Sequence, residues 1–425
     1  MKLICAPKGY KFKGKGDALD VVLYSRADRP TRGSLGAAIR DEIIAWNLNP
    51  APMAWDFLSF ALAVIAADLA GHRTGSPDGW TRELELDVAV ADTAFWNSQR
   101  QLIQQLLGFL TTDVWKVNFI GGGYCPKPPR RPFLPSDECV SLISGGLDSF
   151  IGNLDLVASG KRPFAVSQVV VGDAEKQRAF AKMMGGGLRH LQMNHNAGVP
   201  EPETPSSQRA RSLIFISYGV FAATTLKQYH DGGIVTLYVC ENGFISINPP
   251  LTAMRLGSLS TRTTHPVFFA LLHQLFFEAG LRVRLENPYQ LKTKGEMLRD
   301  CADQKALLAH ASDTTSCGRY LIHGHTHCGR CVPCLVRRAA FGASGMTDGT
   351  KYVYKDLGRD DNDHAGFDDV RSVAMAFAEV DADGLERWLG TALSTTLLGD
   401  VAPLQAMVGR GLKELGALLK SYGVK

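Results

Sequence analysis

Six consecutive residues, Ser144-Gly145-Gly146-Leu147-Asp148-Ser149, constrain this chain more than any others. They stand between a short apolar run at 140–143, read as a strand, and a helical pattern opening at about 150. Two adjacent glycines let the backbone turn sharply and come close to an anion, while successive N–H groups and the helix N-terminus carry positive partial charge. The serines at both ends add hydroxyl donors. An aspartate inside such a loop repels phosphate unless a cation stands between them, so Asp148 is read as helping to hold Mg²⁺, and ATP-Mg²⁺ is implied. The loop has no lysine, and the chain has no G-x-x-x-x-G-K-[ST], so this is not the common NTPase loop that transfers a γ-phosphoryl group.

Around the loop, β-branched runs alternate with helical patterns: 138–143, 150–158, 164–171, 174–184, 188–193, 209–228, 234–239, 266–279 and 281–284. This alternation marks an α/β fold with a doubly wound parallel sheet. Upstream, the stretch CPKPPRRPFLP at 125–135 holds five prolines directly after a Gly-Gly-Gly run at 121–123, which neither a helix nor a central strand tolerates. The chain therefore divides into an N-terminal α+β unit (1–124), a Pro-rich linker (125–136), the loop-bearing unit (137–345) and a C-terminal helical extension (346–425). The first unit is expected to hold a strand near 20–24, an apolar helix at 55–70, an alternating strand at 83–90, a helix at 93–109 and a strand at 114–119. The extension shows amphipathic helical patterns at 367–380, 385–393 and 404–421.

A length of 425 residues fits two or three folding units, and a net charge of +4 without a long basic run gives no reason to expect a nucleic-acid partner. The N-terminal residues are broken by lysines before any leader-like apolar stretch forms. The most apolar stretch, 55–70, carries Asp56 and Asp68, and no apolar span of about 18 residues is read. A soluble, cytoplasmic protein with no membrane partner is the expectation.

Four of the nine cysteines, Cys317, Cys328, Cys331 and Cys334, form C-x10-C-x2-C-x2-C. One tight turn can aim the last three sulfurs at a common centre, and four thiolates suit a tetrahedral, structural Zn²⁺ with no open position. An Fe–S cluster is the rival for the same ligands. His323, His325 and His327 lie between the first two cysteines and read as an exposed or hydrogen-bonded turn, since four cysteines already fill a shell. The scattered Cys5, Cys125, Cys139, Cys240 and Cys301 read as small buried or half-buried thiols.

A strand followed by Ser-Gly-Gly-x-Asp-Ser resembles the PP-loop ATP pyrophosphatases, which cleave ATP between its α- and β-phosphates. With the cysteine cluster, in which Cys328-Gly329-Arg330-Cys331 is followed by Cys334 and Arg337, the region 137–341 resembles the 7-cyano-7-deazaguanine synthase family. Between these motifs, Arg211-Ser212-Leu213-Ile214-Phe215 is similar to that family's R-N-x-x-F helix, and Lys292-Thr293-Lys294-Gly295-Glu296-Met297 to its T-K-x-E segment. The resemblance implies that ATP adenylates the carboxylate of a 7-carboxy-7-deazaguanine, and that ammonia then gives an amide and finally a nitrile. It assigns Asp148, Ser149, Arg211 and Lys294 to the chemistry, with Lys176 or Arg178 as further cations, and Ser144, Gly145, Gly146, Leu147, Asp148 and Ser149 to the nucleotide. Glu241, Asn242 and Gly243, at a predicted strand end, are the candidates for the substrate base, Glu241 having a turn-capping role as its alternative.

Three features depart from the plain pattern: residues 1–136 precede the matching region, 346–425 follow it, and the family's Tyr-Gly-Gln-Arg-type stretch is replaced around 172–178. The longer architecture resembles synthase-like proteins of bacterial anti-phage operons, of the Qat and type IV cyclic-oligonucleotide kind. That resemblance implies a partner protein from the same operon whose amine takes the activated acyl group, and it leaves a homo-oligomer open. Two alternatives stand beside it. A PP-loop tRNA-modifying enzyme would need a persulfide-carrying cysteine by the loop, and a non-catalytic nucleotide-binding scaffold would have no use for Asp148.

Overall fold

The computed structural model describes residues 1–12, 17–204, 207–252, 262–358 and 369–424. Ten strands form two five-stranded sheets. The first holds β1 (Lys2–Pro7), β2 (Ala18–Leu23), β3 (Gly33–Leu35), β4 (Glu83–Ala89) and β5 (Val114–Ile120), in the order β3-β2-β1-β4-β5. The second holds β6 (Cys139–Leu142), β7 (Pro163–Gln168), β8 (His190–Met193), β9 (Val235–Tyr238) and β10 (Val283–Glu286), in the order β10-β9-β6-β7-β8. Each sheet is thus wound outward from its own first strand in both directions, the arrangement of an open α/β sheet.

Every pairing in both sheets is parallel. For the second sheet this matches the doubly wound expectation. For the first it corrects the α+β expectation to α/β. The cause is visible in β4 and β5, whose residues alternate between buried and exposed although parallel strands are usually covered on both faces. One face of this sheet meets the helix Pro52–Ala70. The other carries a polar lattice, with Lys2 bonded to Glu85 at 2.7 Å, Lys116 to Glu85 at 3.2 Å and Asn118 to Asp87 at 3.0 Å. An open face writes the alternation normally associated with antiparallel sheets.

The 19-residue helix Pro52–Ala70 has a mean hydropathy of 1.6 and is long and apolar enough to cross a membrane by length and composition, a span that the sequence reading did not admit. Its surroundings explain the composition. It is buried along nearly its whole length, packed between the first sheet and the helix Arg211–Ala223, so one continuous core joins both units. Its two carboxylates are occupied: Asp56 accepts from the Ala91 and Asp92 N–H groups at 2.8 and 3.0 Å, and Asp68 pairs with Arg82 at 2.7 Å.

The Pro-rich stretch holds no helix or named strand and is tied to the first unit where Phe133 N–H meets the Asn47 carbonyl at 2.8 Å. At the C-terminal end, helices Asp369–Asp383, Leu385–Leu393 and Ala402–Ser421 form a separate apolar cluster against Phe244, Ile247 and the helix Val332–Ser344. The first two residues of the helix expected at 367–380 lie outside the described residues.

Candidate active site and four-cysteine centre

The chain leaves the central strand β6 into Ser144–Gly146 and then enters the helix Leu147–Ala158, beside β9, the strand wound the other way. Open α/β sheets bind ligands at this switch point, where the connections diverge and leave a crevice. Gly145 has φ +83°, a conformation that other residues resist, and a Cβ on Gly146 would come within 3.1 Å of the Thr315 carbonyl. The two serines close the loop on itself: Ser144 N–H donates to Ser149 Oγ at 3.1 Å, the two hydroxyls lie 2.9 Å apart, and Gly146 N–H donates to Ser144 Oγ at 3.2 Å. Their hydroxyls hold the turn, a task beyond the phosphate contacts that the sequence pattern assigns to them.

Asp148 finds its cation within the protein. Lys294 Nζ pairs with Oδ1, while Oδ2 accepts from the Asn242 backbone N–H at 3.2 Å and from Asn242 Nδ2 at 2.7 Å. Both partners come from distant segments, Asn242 from the end of β9 and Lys294 from the start of the helix Lys294–Asp300. Both carboxylate oxygens are thus engaged within the protein, and among the described residues no other acidic group joins Asp148 in a metal-ligand cluster. In this fold Lys294 supplies the charge compensation that the loop requires.

The loop opens on a cavity of about 220 Å³ whose lining includes Ser144, Ser149, Ser167, Gln168, Arg211 and Glu241. Arg211 stands at the start of its helix, donates to Gln208 Oε1 at 3.1 Å and covers the Phe215 ring. Burial pulls its guanidinium below the usual value, opposed by Asp173. Glu241 accepts from Thr264 Oγ1 at 2.6 Å, and Asn287 holds its backbone on both sides. Of the residues expected to meet substrate, Glu241 reaches the cavity wall. Asn242 caps the helix Gly243–Ile247, and Gly243 is packed so closely that a Cβ would lie 2.1 Å from the Gln290 carbonyl.

Lys176 and Arg178 do not line this cavity. Lys176 donates to Thr315 Oγ1 at 3.0 Å and to Tyr320 Oη at 2.9 Å, and Arg178 to Gln192 at 2.6 Å. Residues that sequence reasoning missed take their place in the cavity wall. Ser167 Oγ lies 2.8 Å from His190 Nε2, and Gln168 Oε1 is a buried acceptor without a partner among the described residues. Both lie at the end of β7, where the position alone, a strand end beside the loop, was the available signal.

All four expected cysteines converge. Their sulfurs lie within 4.8 Å of one another, with Cys328–Cys334 and Cys331–Cys317 at 3.9 Å, and all four are buried and free of disulfides. Tetrahedral Zn²⁺ with bonds of about 2.3 Å puts sulfurs roughly 3.8 Å apart. Backbone N–H groups of Arg319, Cys328 and Cys331 each point at a cysteine sulfur at 3.3 Å, the outer contacts that thiolate ligands need. The donor set therefore suits zinc. His327 stands apart from it, its Nε2 accepting from Ser316 N–H at 3.1 Å, and His325 rests against Gly172. The cysteine arm also reaches the phosphate loop, because Thr315 N–H donates to the Gly145 carbonyl at 2.9 Å and Thr315 Oγ1 to Asp173 at 2.7 Å.

A 7-cyano-7-deazaguanine synthase from Geotalea uraniireducens (strain Rf4) is 26% identical to this chain over 252 residues, covering 51% of this chain and 97% of that protein. About half of this chain is thus similar to that synthase. No protein-family profile matches the chain, and no solved structure matches it. The loop Ser144–Ser149, Arg211 and Lys294 meet at one end of the second sheet, and the cysteine arm joins them through Thr315. The thiols nearest the loop do not suit sulfur transfer: Cys139 and Cys240 are buried, and burial pushes the Cys139 thiol up to about 12.

Proposed function

We propose that this chain uses ATP to activate the carboxylate of a 7-deazaguanine-type base as an acyl-adenylate, which an amine then attacks. The observation that carries this reading is the placement of Arg211 and Glu241 in the wall of the cavity onto which the phosphate loop opens. In the first step a carboxylate oxygen attacks the α-phosphorus, the bond to the β-phosphate oxygen breaks, and pyrophosphate leaves. In the second the amine attacks the acyl carbon, the bond to the phosphate oxygen breaks, and AMP leaves with the electron pair while the amine gives up a proton. Turning a carboxylate into an acyl phosphate lends the carbon the leaving group that it lacks. Arg211 is the cation available to stabilise charge at the α-phosphate, and Gln168 Oε1 is an acceptor that a base N–H would satisfy.

For the amine, the longer architecture supports an acceptor on a partner protein, in a role in anti-phage defence, over ammonia. The test is mass spectrometry of the protein incubated with ATP, Mg²⁺ and 7-carboxy-7-deazaguanine, with ammonia in one arm and a neighbouring-operon protein in the other, while AMP is followed. AMP together with a mass gain on the partner supports conjugation. AMP with a free amide or nitrile keeps the adenylation and replaces the acceptor. No AMP in either arm sinks the reading.

A further inference from the structure

The C-terminal helix Ala402–Ser421 lies outside the phosphate-loop sheet, yet it touches both segments that hold Asp148. Glu414 accepts from Thr293 Oγ1 and, at 3.3 Å, from Gly295 N–H, the residues on either side of Lys294. Arg410 donates to Glu296 at 2.6 Å and to the Leu291 carbonyl at 2.8 Å, gripping the same segment one turn away. The packing leaves no slack: a Cβ on Gly295 would lie 2.6 Å from the Glu414 carboxylate, and one on Gly411 would lie 2.3 Å from Phe244, on the short helix that Asn242 caps. Lys294 is itself buried, so its direction depends on where its backbone is held.

We infer that Glu414 is a positioning residue for nucleotide binding. It fixes Thr293 and Gly295 so that Lys294 stays on Asp148, and the C-terminal extension is thereby part of the site. Glu414 does not line the cavity, and it acts only through Lys294. This rests on the reading that the loop binds ATP, not on the identity of the carboxylate or of the amine.

A helix that merely stabilised the fold would show the same contacts, so the test is a double-mutant cycle on the full chain. Calorimetry with magnesium α,β-methylene-ATP, which cannot be cleaved at the relevant bond, gives Kd for the wild type, Glu414→Ala, Lys294→Met and the double variant. Glu414→Ala is expected to weaken binding roughly tenfold, the scale of one misplaced charge-assisted hydrogen bond. In the Lys294→Met background the same change is expected to cost less than about twofold, because residues acting through one contact are not additive. Glu414→Gln keeps an acceptor for Thr293 and recovers most of the loss. Equal losses in both backgrounds, or a wild-type Kd for Glu414→Ala, overturn the proposal. If Glu414→Ala does not fold, Arg410→Leu on the exposed side of the same grip takes its place in the cycle and must show the same non-additivity. A wild-type protein that does not bind the analogue defeats the nucleotide reading itself.

Discussion

Arg209 of the phosphate-loop unit donates from Nη1 to Asp113 of the first unit at 3.1 Å, and both side chains are almost wholly buried. Asp113 also pairs with Arg82 at 2.6 Å, Arg82 with Asp68 at 2.7 Å, and Asp68 accepts from the Ala210 N–H at 3.2 Å. Two arginines and two aspartates thus lock the start of the helix that carries Arg211 onto the first unit. Removing one member of a buried charge network leaves its partners desolvated and uncompensated, which costs about 3–5 kcal/mol. Asp113→Ala is therefore expected to lower the unfolding free energy by about that much, as read from urea midpoints, and Asp113→Asn by less. A loss under about 1 kcal/mol for Asp113→Ala would mean that the network is not holding the two units together.

The pair of Lys294 and Asp148 makes a separate, charge-based prediction. If Lys294 neutralises an aspartate that would otherwise repel phosphate, Lys294→Met leaves an uncompensated negative charge in the loop and weakens ATP binding by well over tenfold. Adding Asp148→Asn removes that charge, and the double variant is expected to bind ATP better than Lys294→Met alone. Should the double variant bind no better, Asp148 is needed for its own sake, as a metal ligand would be.

What was legible in the sequence follows from how locally each task is written. The loop needs glycines and serines in contiguous order, and the cysteine centre needs a fixed spacing, so both are legible in short stretches of chain. Arg211 was reached through its motif and does line the cavity. The pairing of Lys294 with Asp148 was not legible, because the two meet only after a long return of the chain. The parallel first sheet was hidden because Lys2, Glu85, Asp87 and Lys116 solvate one face and imitate an antiparallel pattern. Glu414 was invisible for a plainer reason: a single glutamate in an amphipathic helix reads as surface until the packing shows it against Thr293.

The four-cysteine centre predicts a bound metal with a mechanical role. Purified protein is expected to carry one zinc per chain by elemental analysis, with no visible absorption of the kind that an Fe–S cluster gives. Cys331→Ser should abolish that metal and lower the thermal midpoint, since the binding energy of a structural zinc is folding energy. Thr315, on the cysteine arm, braces Gly145, so the same variant should also weaken nucleotide binding. A metal-free variant with unchanged nucleotide affinity would show that the arm does not support the loop.

Histidines taken out of water give the molecule an acid limit, His190, His195 and His265 among them. Burial pushes His190 and His195 down from 6.5 to about 4, and His265 from 6.5 to about 3. The unfolded chain takes up protons at these positions near 6.5, whereas the folded chain refuses them until the pH is far lower. Between those limits the unfolded state binds more protons, so stability rises with pH. The histidine contribution is complete above about pH 6.5 and is lost as pH falls toward 4, with a slope of roughly 1.4 kcal/mol per pH unit for each histidine. Urea midpoints at pH 5 should accordingly lie well below those at pH 7.5, and His195→Gln should shrink the difference by one histidine's share, because glutamine does not titrate. His195 carries the sharpest form of this test, since its backbone carbonyl accepts from Gly36 of the first unit at 2.7 Å and Arg211 is the cation that lowers its proton affinity further. If midpoints at the two pH values coincide, these histidines are reached by water more freely than their packing implies.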